Sequence, residues 1–191
     1  MITNTALSKK VTEEVKTGFF QKYFGSMNQI GIILQNIQST QKMFFAFMKI
    51  SHYNQSNYKN DIAIYVSGRR SKSGNRRCAI FSTTNLPNFS GNLIATEVSV
   101  LPYLANNYSQ SKNKFFYIYD IYDLIHYKQN SPDAFLNIKS IIEKNNIKLF
   151  TRSEDYRRII LNYLGLSCLD TIVPDFQIEK IVEITESNYE N

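Results

Sequence analysis

Lys114-Phe115-Phe116-Tyr117-Ile118-Tyr119, with Asp120 directly behind it, is the stretch on which the reading of the fold turns. Five of these six residues are aromatic or β-branched, and none is Gly or Pro. A short continuous apolar run bounded by turn-formers reads as a strand buried on both faces. Such strands belong to parallel sheets covered by helices, because a sheet with one face in water alternates apolar and polar residues.

Downstream of this strand the pattern switches repeatedly between the two periods. Ser131-Pro132-Asp133 is a helix start, with Ser at the N-cap and Pro where the missing N–H costs nothing. Phe135, Ile138, Ile141 and Ile142 form the apolar face of that helix, and Asn145-Asn146 ends it. Residues 147–151 read as the next strand. Ser153 then caps a helix whose first turn holds Glu154 and Asp155 and whose face carries Tyr156, Ile159, Ile160, Tyr163 and Leu164, with Gly165 as its stop. Thr171-Ile172-Val173 is a last short strand, and Ile178, Ile181 and Val182 line a last helix.

Upstream, Ile62-Ala63-Ile64-Tyr65-Val66 is a second buried strand, followed by a candidate strand at 78–81 and a turn region at 86–91. Leu93-Ile94-Ala95 is short and strand-like; a helical stretch spans about 98–106, and Pro102 suggests a start nearer Leu101. Earlier still, 29–34 reads as a strand, 38–50 as a helix carrying Met43, Phe44, Phe47 and Met48, and 51–60 as a polar loop. Residues 8–24 read as an amphipathic helix with Ser8 at its cap; Val11, Val15, Phe19 and Tyr23 form its stripe, Phe20 and Phe24 widen it, and Gly25 ends it. The expected fold class is therefore α/β: a single Rossmann-like three-layer domain with a mostly parallel sheet, preceded by an N-terminal helix. The expected divisions are a helical segment over 1–26, the Rossmann-like domain over 27–184 and a flexible tail over 185–191. The alternation is clearest from residue 62 onward.

Composition agrees with one ordinary globular domain. The 191 residues are 43% hydrophobic and 20% charged, enough apolar surface for a core without staples. Cys78 and Cys168, the only cysteines, read as reduced core thiols rather than a disulfide framework. With only His52 and His126 besides, a structural zinc site is not expected, and no metal is assigned. Residues 1–10 lack the apolar stretch of a signal peptide, and the longest apolar run, 43–48, is six residues where a membrane span needs about 20. A cytoplasmic protein is expected, in the host cytoplasm or the virion if of phage origin, with no membrane partner. The abundance of Asn, Lys, Ile and Tyr suggests an AT-rich coding sequence.

Ligands of parallel sheets bind outside the carboxyl ends of the strands, so the residues behind each strand are the candidates for chemistry. Behind Val66, the segment 69–77 places Arg69, Arg70, Lys72, Arg76 and Arg77 among Ser, Gly and Asn, five basic residues in nine. It reads equally as a receiver of phosphate, from a nucleotide or a nucleic acid, and as a solvated surface loop. Neither the P-loop spacing nor G-x-G-x-x-G is present. Arg152 and Ser153, at a strand end and helix start, suit an anion or a plain cap. Glu97 and Asp120 are the weak catalytic candidates, Glu97 as a general base and Asp120, with Asp123, on a metal or sugar hydroxyl; each also suits helix or turn capping. The aromatic cluster Phe115, Phe116, Tyr117, Tyr119 and Tyr122 can stack a base or simply pack the strand, and His126 reads as a surface or satisfied histidine. No Ser, Cys or His arrangement suggests covalent catalysis.

The runs Asn92-Leu93-Ile94-Ala95-Thr96-Glu97, Lys114 through Asp120, Lys148-Leu149-Phe150-Thr151-Arg152-Ser153-Glu154-Asp155-Tyr156-Arg157-Arg158 and Ile172-Val173-Pro174-Asp175-Phe176 carry a resemblance. Together, over roughly 62–184, they resemble one Rossmann-like half of GT-B-type glycosyltransferases and related small proteins of tailed phages. The resemblance implies two such halves with a nucleotide-sugar between them, and a chain of this length has room for one. Two readings follow. One is a non-catalytic glycosyltransferase-like binding or structural protein, with no cofactor, that engages a protein partner, a second copy of itself, or nucleic acid through residues 69–77. The alternative is a nucleotide-sugar-dependent glycosyltransferase acting on DNA or another acceptor, with Glu97 or Asp120 as base and Arg69, Arg70 or Arg152 on the diphosphate.

Overall fold

Every strand of this domain but the short edge strand at 80–82 is a run of side chains buried on both sides, and the architecture follows from that. The computed structural model describes residues 30–37, 42–56, 62–68, 78–105, 110–111 and 113–188. Strands β1 (Ile30–Leu34), β2 (Ile62–Val66), β3 (Ile80–Ser82), β4 (Asn92–Ala95), β5 (Lys114–Ile118) and β6 (Lys148–Thr151) form one sheet in the order β3-β2-β1-β4-β5-β6. Every neighbouring pair is parallel. The expected Rossmann-like α/β domain is what the chain forms. The chain builds outward from β1 to β3, returns to the other side of β1, and builds outward again, so the strand order reverses between β1 and β4.

Successive side chains point to opposite faces. On β5, Phe115 and Tyr117 enter one core, while Phe116 and Ile118 enter the other. On β1, Ile30, Ile32 and Leu34 enter the first core and Ile33 the second. The first face is covered by helix α1 (Lys42–Ser56) and the C-terminal helix, and the second by the 3₁₀ turns Thr83–Asn88 and Val98–Leu104 and helices α2 (Tyr122–Asn130), α3 (Pro132–Lys144) and α4 (Glu154–Arg158). The α4 helix continues through a wider π-type stretch, Ile159–Leu164, to Gly165, whose φ of 68° supplies the left-handed stop. Helix α5 (Ile178–Ser187) closes the described chain. No helix among the described residues is long and apolar enough to cross a membrane.

Several boundaries differ from expectation, each for a local reason. Helix α1 continues through Ser56, into what reads as loop, because the polar residue Asn54 is buried. Its side-chain amide donates to the Ile62 carbonyl at 3.0 Å and accepts from the Ile62 N–H at 3.1 Å, docking the helix end on the start of β2. Helix α2 was not expected, since Leu124 is its one fully buried residue and the apolar stripe is thin. The stretch at 98 is a 3₁₀ helix beginning at Val98, with Pro102 inside it; i→i+3 bonding over so short a run tolerates one missing donor. The expected strand at 171–173 reduces to one parallel bridge, Ile172 beside Thr151. Helix α5 runs past the expected start of the tail, with Thr185 fully buried and its hydroxyl donating to the Val182 carbonyl at 2.8 Å. The helix expected over 8–24 lies outside the described residues.

Candidate functional site at the carboxyl edge

The carboxyl ends of all six strands point the same way, so the residues behind them form one continuous edge. At the end of β2, Ser67 donates its N–H to the Leu34 carbonyl at 3.2 Å and Gly68 to the Gln35 carbonyl at 2.8 Å. The loops behind β1 and β2 thus lie against each other. A Cβ at Gly68 would sit 2.0 Å from Asn36 Oδ1 and 2.7 Å from the Gln35 carbonyl oxygen, so the approach requires glycine. Arg69, Arg70, Lys72, Arg76 and Arg77 lie outside the described residues; their described flanks are Ser67 and Gly68 on one side and Cys78 and Ala79 on the other.

Between β1 and β4 the edge is stitched by Thr96, whose hydroxyl donates to the Ile33 carbonyl at 2.9 Å and approaches the Met43 sulfur at 3.6 Å. Glu97 follows, half-buried, at the N-cap of the Val98–Leu104 turn; its carbonyl accepts from the Val100 N–H at 3.2 Å. Its position beside the reversal of strand order is where ligands of such sheets bind. At the end of β5, an Asp120 carboxylate oxygen accepts from the Tyr122 N–H at 3.1 Å, a local turn bond that starts α2. Asp123 and His126 are exposed on α2, and the His126 ring lies 3.0 Å from the Asn130 amide nitrogen. Of the aromatic cluster, Phe115, Phe116 and Tyr117 are strand packing, at most 2% exposed, whereas Tyr119 is half-buried and Tyr122 is 70% exposed.

At the end of β6 stands Arg152. Its guanidinium lies over the Tyr119 ring, 4.9 Å from the centroid, and over the Tyr156 ring at 5.0 Å, and it donates to the Tyr156 hydroxyl at 3.1 Å. Ser153 acts as the N-cap of α4, its hydroxyl accepting from the Tyr156 N–H at 3.3 Å. Alongside runs the segment 172–176, joined by the Val173 N–H donating to the Thr151 carbonyl at 2.9 Å. Asp175 and Phe176 take positive φ values of 46° and 55°. Left-handed backbone at a residue other than glycine costs on the order of 1–3 kcal/mol and persists only where the surroundings impose it. Here Tyr117 imposes it: its buried hydroxyl donates to the Val173 carbonyl at 2.7 Å and accepts from the Phe176 N–H at 3.4 Å. Burial raises the Tyr117 phenol above its ordinary value, so the donating proton stays in place.

The structure therefore gathers Glu97, Asp120, Arg152 and Ser153 on one edge, on the consecutive strands β4, β5 and β6. The flank of the basic segment, at the end of β2, is four strand steps from Arg152, about 19 Å at about 4.8 Å per step. Sequence reasoning missed the partners of Arg152: Tyr156 is its i, i+4 neighbour, and nothing in the spacing announces that Tyr119, behind β5, meets a residue behind β6. Among the described residues no three His, Cys, Asp or Glu side chains gather to hold a metal. No protein-family model, curated protein or solved structure matches this chain.

Proposed function

We propose that this chain is a non-catalytic, glycosyltransferase-like binding protein of the tailed-phage kind, and that it engages nucleic acid through the basic segment 69–77. The observation that carries the reading is the placement, along one edge, of Arg152 and of the described flank from which the basic segment departs. The flank of the basic segment and Arg152 stand about 19 Å apart on the same carboxyl edge. One diphosphate is far smaller than that interval, whereas a nucleic-acid backbone presents a phosphate every several ångströms along its length. The net charge of +6 agrees with a polyanionic partner. The glycosyltransferase-like and phage parts of the proposal rest on the strand-end motifs.

The test is a salt series. Replacing Arg69, Arg70, Arg76 and Arg77 together with Ala is expected to weaken binding to single-stranded oligonucleotides and to reduce the slope of log affinity against log salt by about 3. An unchanged affinity and slope would remove the segment from the interface.

One observation favours the transferase alternative: Glu97 sits where the strand order reverses, within reach of a ligand between β1 and β4. In that reading Glu97 takes the acceptor proton and a nucleotide-sugar lies along β1 and β4. Incubation with labelled nucleotide-sugars separates the two, because the binding protein neither hydrolyses nor transfers them.

A further inference from the structure

Met43-Phe44-Phe45-Ala46-Phe47-Met48, in the first half of α1, is apolar at six consecutive positions, more than a full helical turn. A helix that is apolar all round belongs in a site that is buried all round. Met43, Ala46, Phe47 and Ile50 lie in the core, but Phe45 is 45% exposed and Met48 is 50% exposed, on the side of the helix turned away from the sheet. The Lys49 ammonium lies over the Phe45 ring, 4.9 Å from its centre, and leaves the pair open to solvent. The outer side of α5, on the same face of the sheet, is built in the ordinary way, with Glu179, Lys180, Glu183 and Glu186 exposed. Helix α1 thus turns outward the kind of side chain that its neighbour buries.

The chain supplies a counterpart, and the fold brings its point of attachment to the right place. Residues 1–29 lie outside the described residues and join the fold at Ile30, the first residue of β1. Ile30 is in register with Ile62 on the neighbouring strand, and Ile62 is the residue that Asn54, in the last turn of α1, holds by two hydrogen bonds. The entry point of the preceding chain is therefore beside the end of α1. From Gly25 to Ile30 is five residue steps, a reach of about 17 Å, against a helix diameter of about 10–12 Å. A segment ending at Gly25 can thus stand over the outer side of α1. The sequence of 8–24 reads as an amphipathic helix whose stripe, Val11, Val15, Phe19 and Tyr23, repeats every four residues. Rows of the same spacing, Phe45 with Lys49 and Met48 with His52, run along the outer side of α1, and rows of this kind interdigitate.

We propose that residues 8–24 dock as a helix on the outer side of α1, over Phe45 and Met48, and add a further layer to the first face of the sheet. The tether decides between this occupant and a second copy of the chain. A segment joined by so short a link is present at an effective concentration on the order of millimolar, far above that of a second molecule at micromolar protein. The inference is independent of the nucleic-acid reading, because it uses neither the carboxyl edge nor the basic segment.

The test is NMR on the full chain labelled with ¹³C at the methionine methyls, read together with amide hydrogen exchange. The Met48 methyl is expected to show through-space contacts to the rings of Phe19 or Tyr23. Phe19→Leu and Tyr23→Leu keep the stripe apolar but remove the rings, and are expected to move the Met48 methyl signal while that of buried Met43 stays. Val15→Glu breaks the stripe from the other side and is expected to bring the Met48 methyl to the position of a solvated methionine. Met48→Glu changes a half-exposed side chain, so protection in β1 is expected to be unchanged, which shows that the variant folds. Exchange at the amides of 11–24 is expected to quicken about tenfold in it. A Met48 methyl indifferent to all three segment variants overturns the proposal, as does exchange over 11–24 that is equally fast with and without Met48→Glu. A contact that fades on dilution from millimolar to micromolar protein, with the chain eluting as a dimer when concentrated, overturns it in favour of a second copy.

Discussion

At the scale of single residues, two glycines do different work. Gly68 is required by proximity, with Asn36 and the Gln35 carbonyl where a Cβ would go, while Gly165 has open space around it and is required by its φ of 68°. Asn36 can swing aside, but the Gln35 carbonyl is backbone and cannot. Gly68→Ala is therefore expected to cost about 2–3 kcal/mol, an overpacking penalty. Gly165→Ala is expected to cost about 1 kcal/mol, the price of a left-handed alanine. Urea unfolding of both variants measures the difference, and equal midpoints would contradict the packing argument. Cys168 gives a second residue-level expectation. Burial pushes its thiol up to about 11, so at neutral pH it is almost entirely protonated. The thiolate is the nucleophile. Alkylation by iodoacetamide at pH 7.5 is expected to run about 100-fold slower than for a free thiol, and to climb with pH until about 11. Rapid modification of Cys168 at neutral pH would show that the thiol is not held in its buried setting.

At the scale of elements, the segment 172–176 depends on a side chain from a strand more than fifty residues earlier. Its expected strand is a single bridge, and the hydroxyl of Tyr117 on β5 supplies the fixing that a longer ladder would have given. Tyr117→Phe leaves a buried carbonyl and a buried N–H without that partner, at a cost of about 2 kcal/mol. For a chain of this size that is a fall in Tm of about 4–8 °C. Hydrogen exchange is expected to quicken at Val173 and Phe176 before it quickens in β5. The alkaline limb should change as well. The folded Tyr117 phenol is raised by burial; the stability this brings is complete below the unfolded value of about 10 and is lost as pH rises through the folded one. The phenylalanine variant has no phenol to ionise, so its stability should fall less steeply above pH 10. This element also marks what the sequence hides. Strands β1, β2, β4, β5 and β6 were legible because two-sided burial writes continuous apolar runs. Helix α3 was legible because Ser131, Pro132 and a full apolar stripe mark it. Helix α2 was not, since a helix lying mostly in solvent carries little periodic signal. The end of α1 was hidden by Asn54, a buried polar residue whose partners belong to β2. At the site, Arg152 and Ser153 could be placed at a strand end from their spacing. The Tyr119 ring that holds Arg152 could not, because that contact depends on β5 and β6 being neighbours.

At the scale of the whole molecule, β1 is the hinge of the architecture. It is one of the two central strands, the point from which the chain builds in both directions, and its side chains enter both cores. Sequence alternation is plainest from residue 62, yet the sheet is organised around residues 30–34; a buried strand without a recognisable loop behind it does not announce its rank. Two cores built on the two faces of one sheet should not melt separately. Ile32 is fully buried in the core under α1 and α5, and Ile33 is fully buried in the core under α2 and α3. Ile32→Ala and Ile33→Ala each remove buried methyl groups and leave a cavity, a loss of about 2–5 kcal/mol. If the domain is one cooperative unit, each variant lowers a single transition, and helical circular dichroism and tyrosine fluorescence follow it together. The variants should also agree in the slope of stability against denaturant, because each unfolds the same surface. A variant in which one probe moves and the other stays, or in which that slope falls by a substantial fraction, would mean that the layers on the two faces fold independently. The carboxyl edge would then be assembled from two units, and the fixed spacing between Arg152 and the end of β2 would lose its foundation.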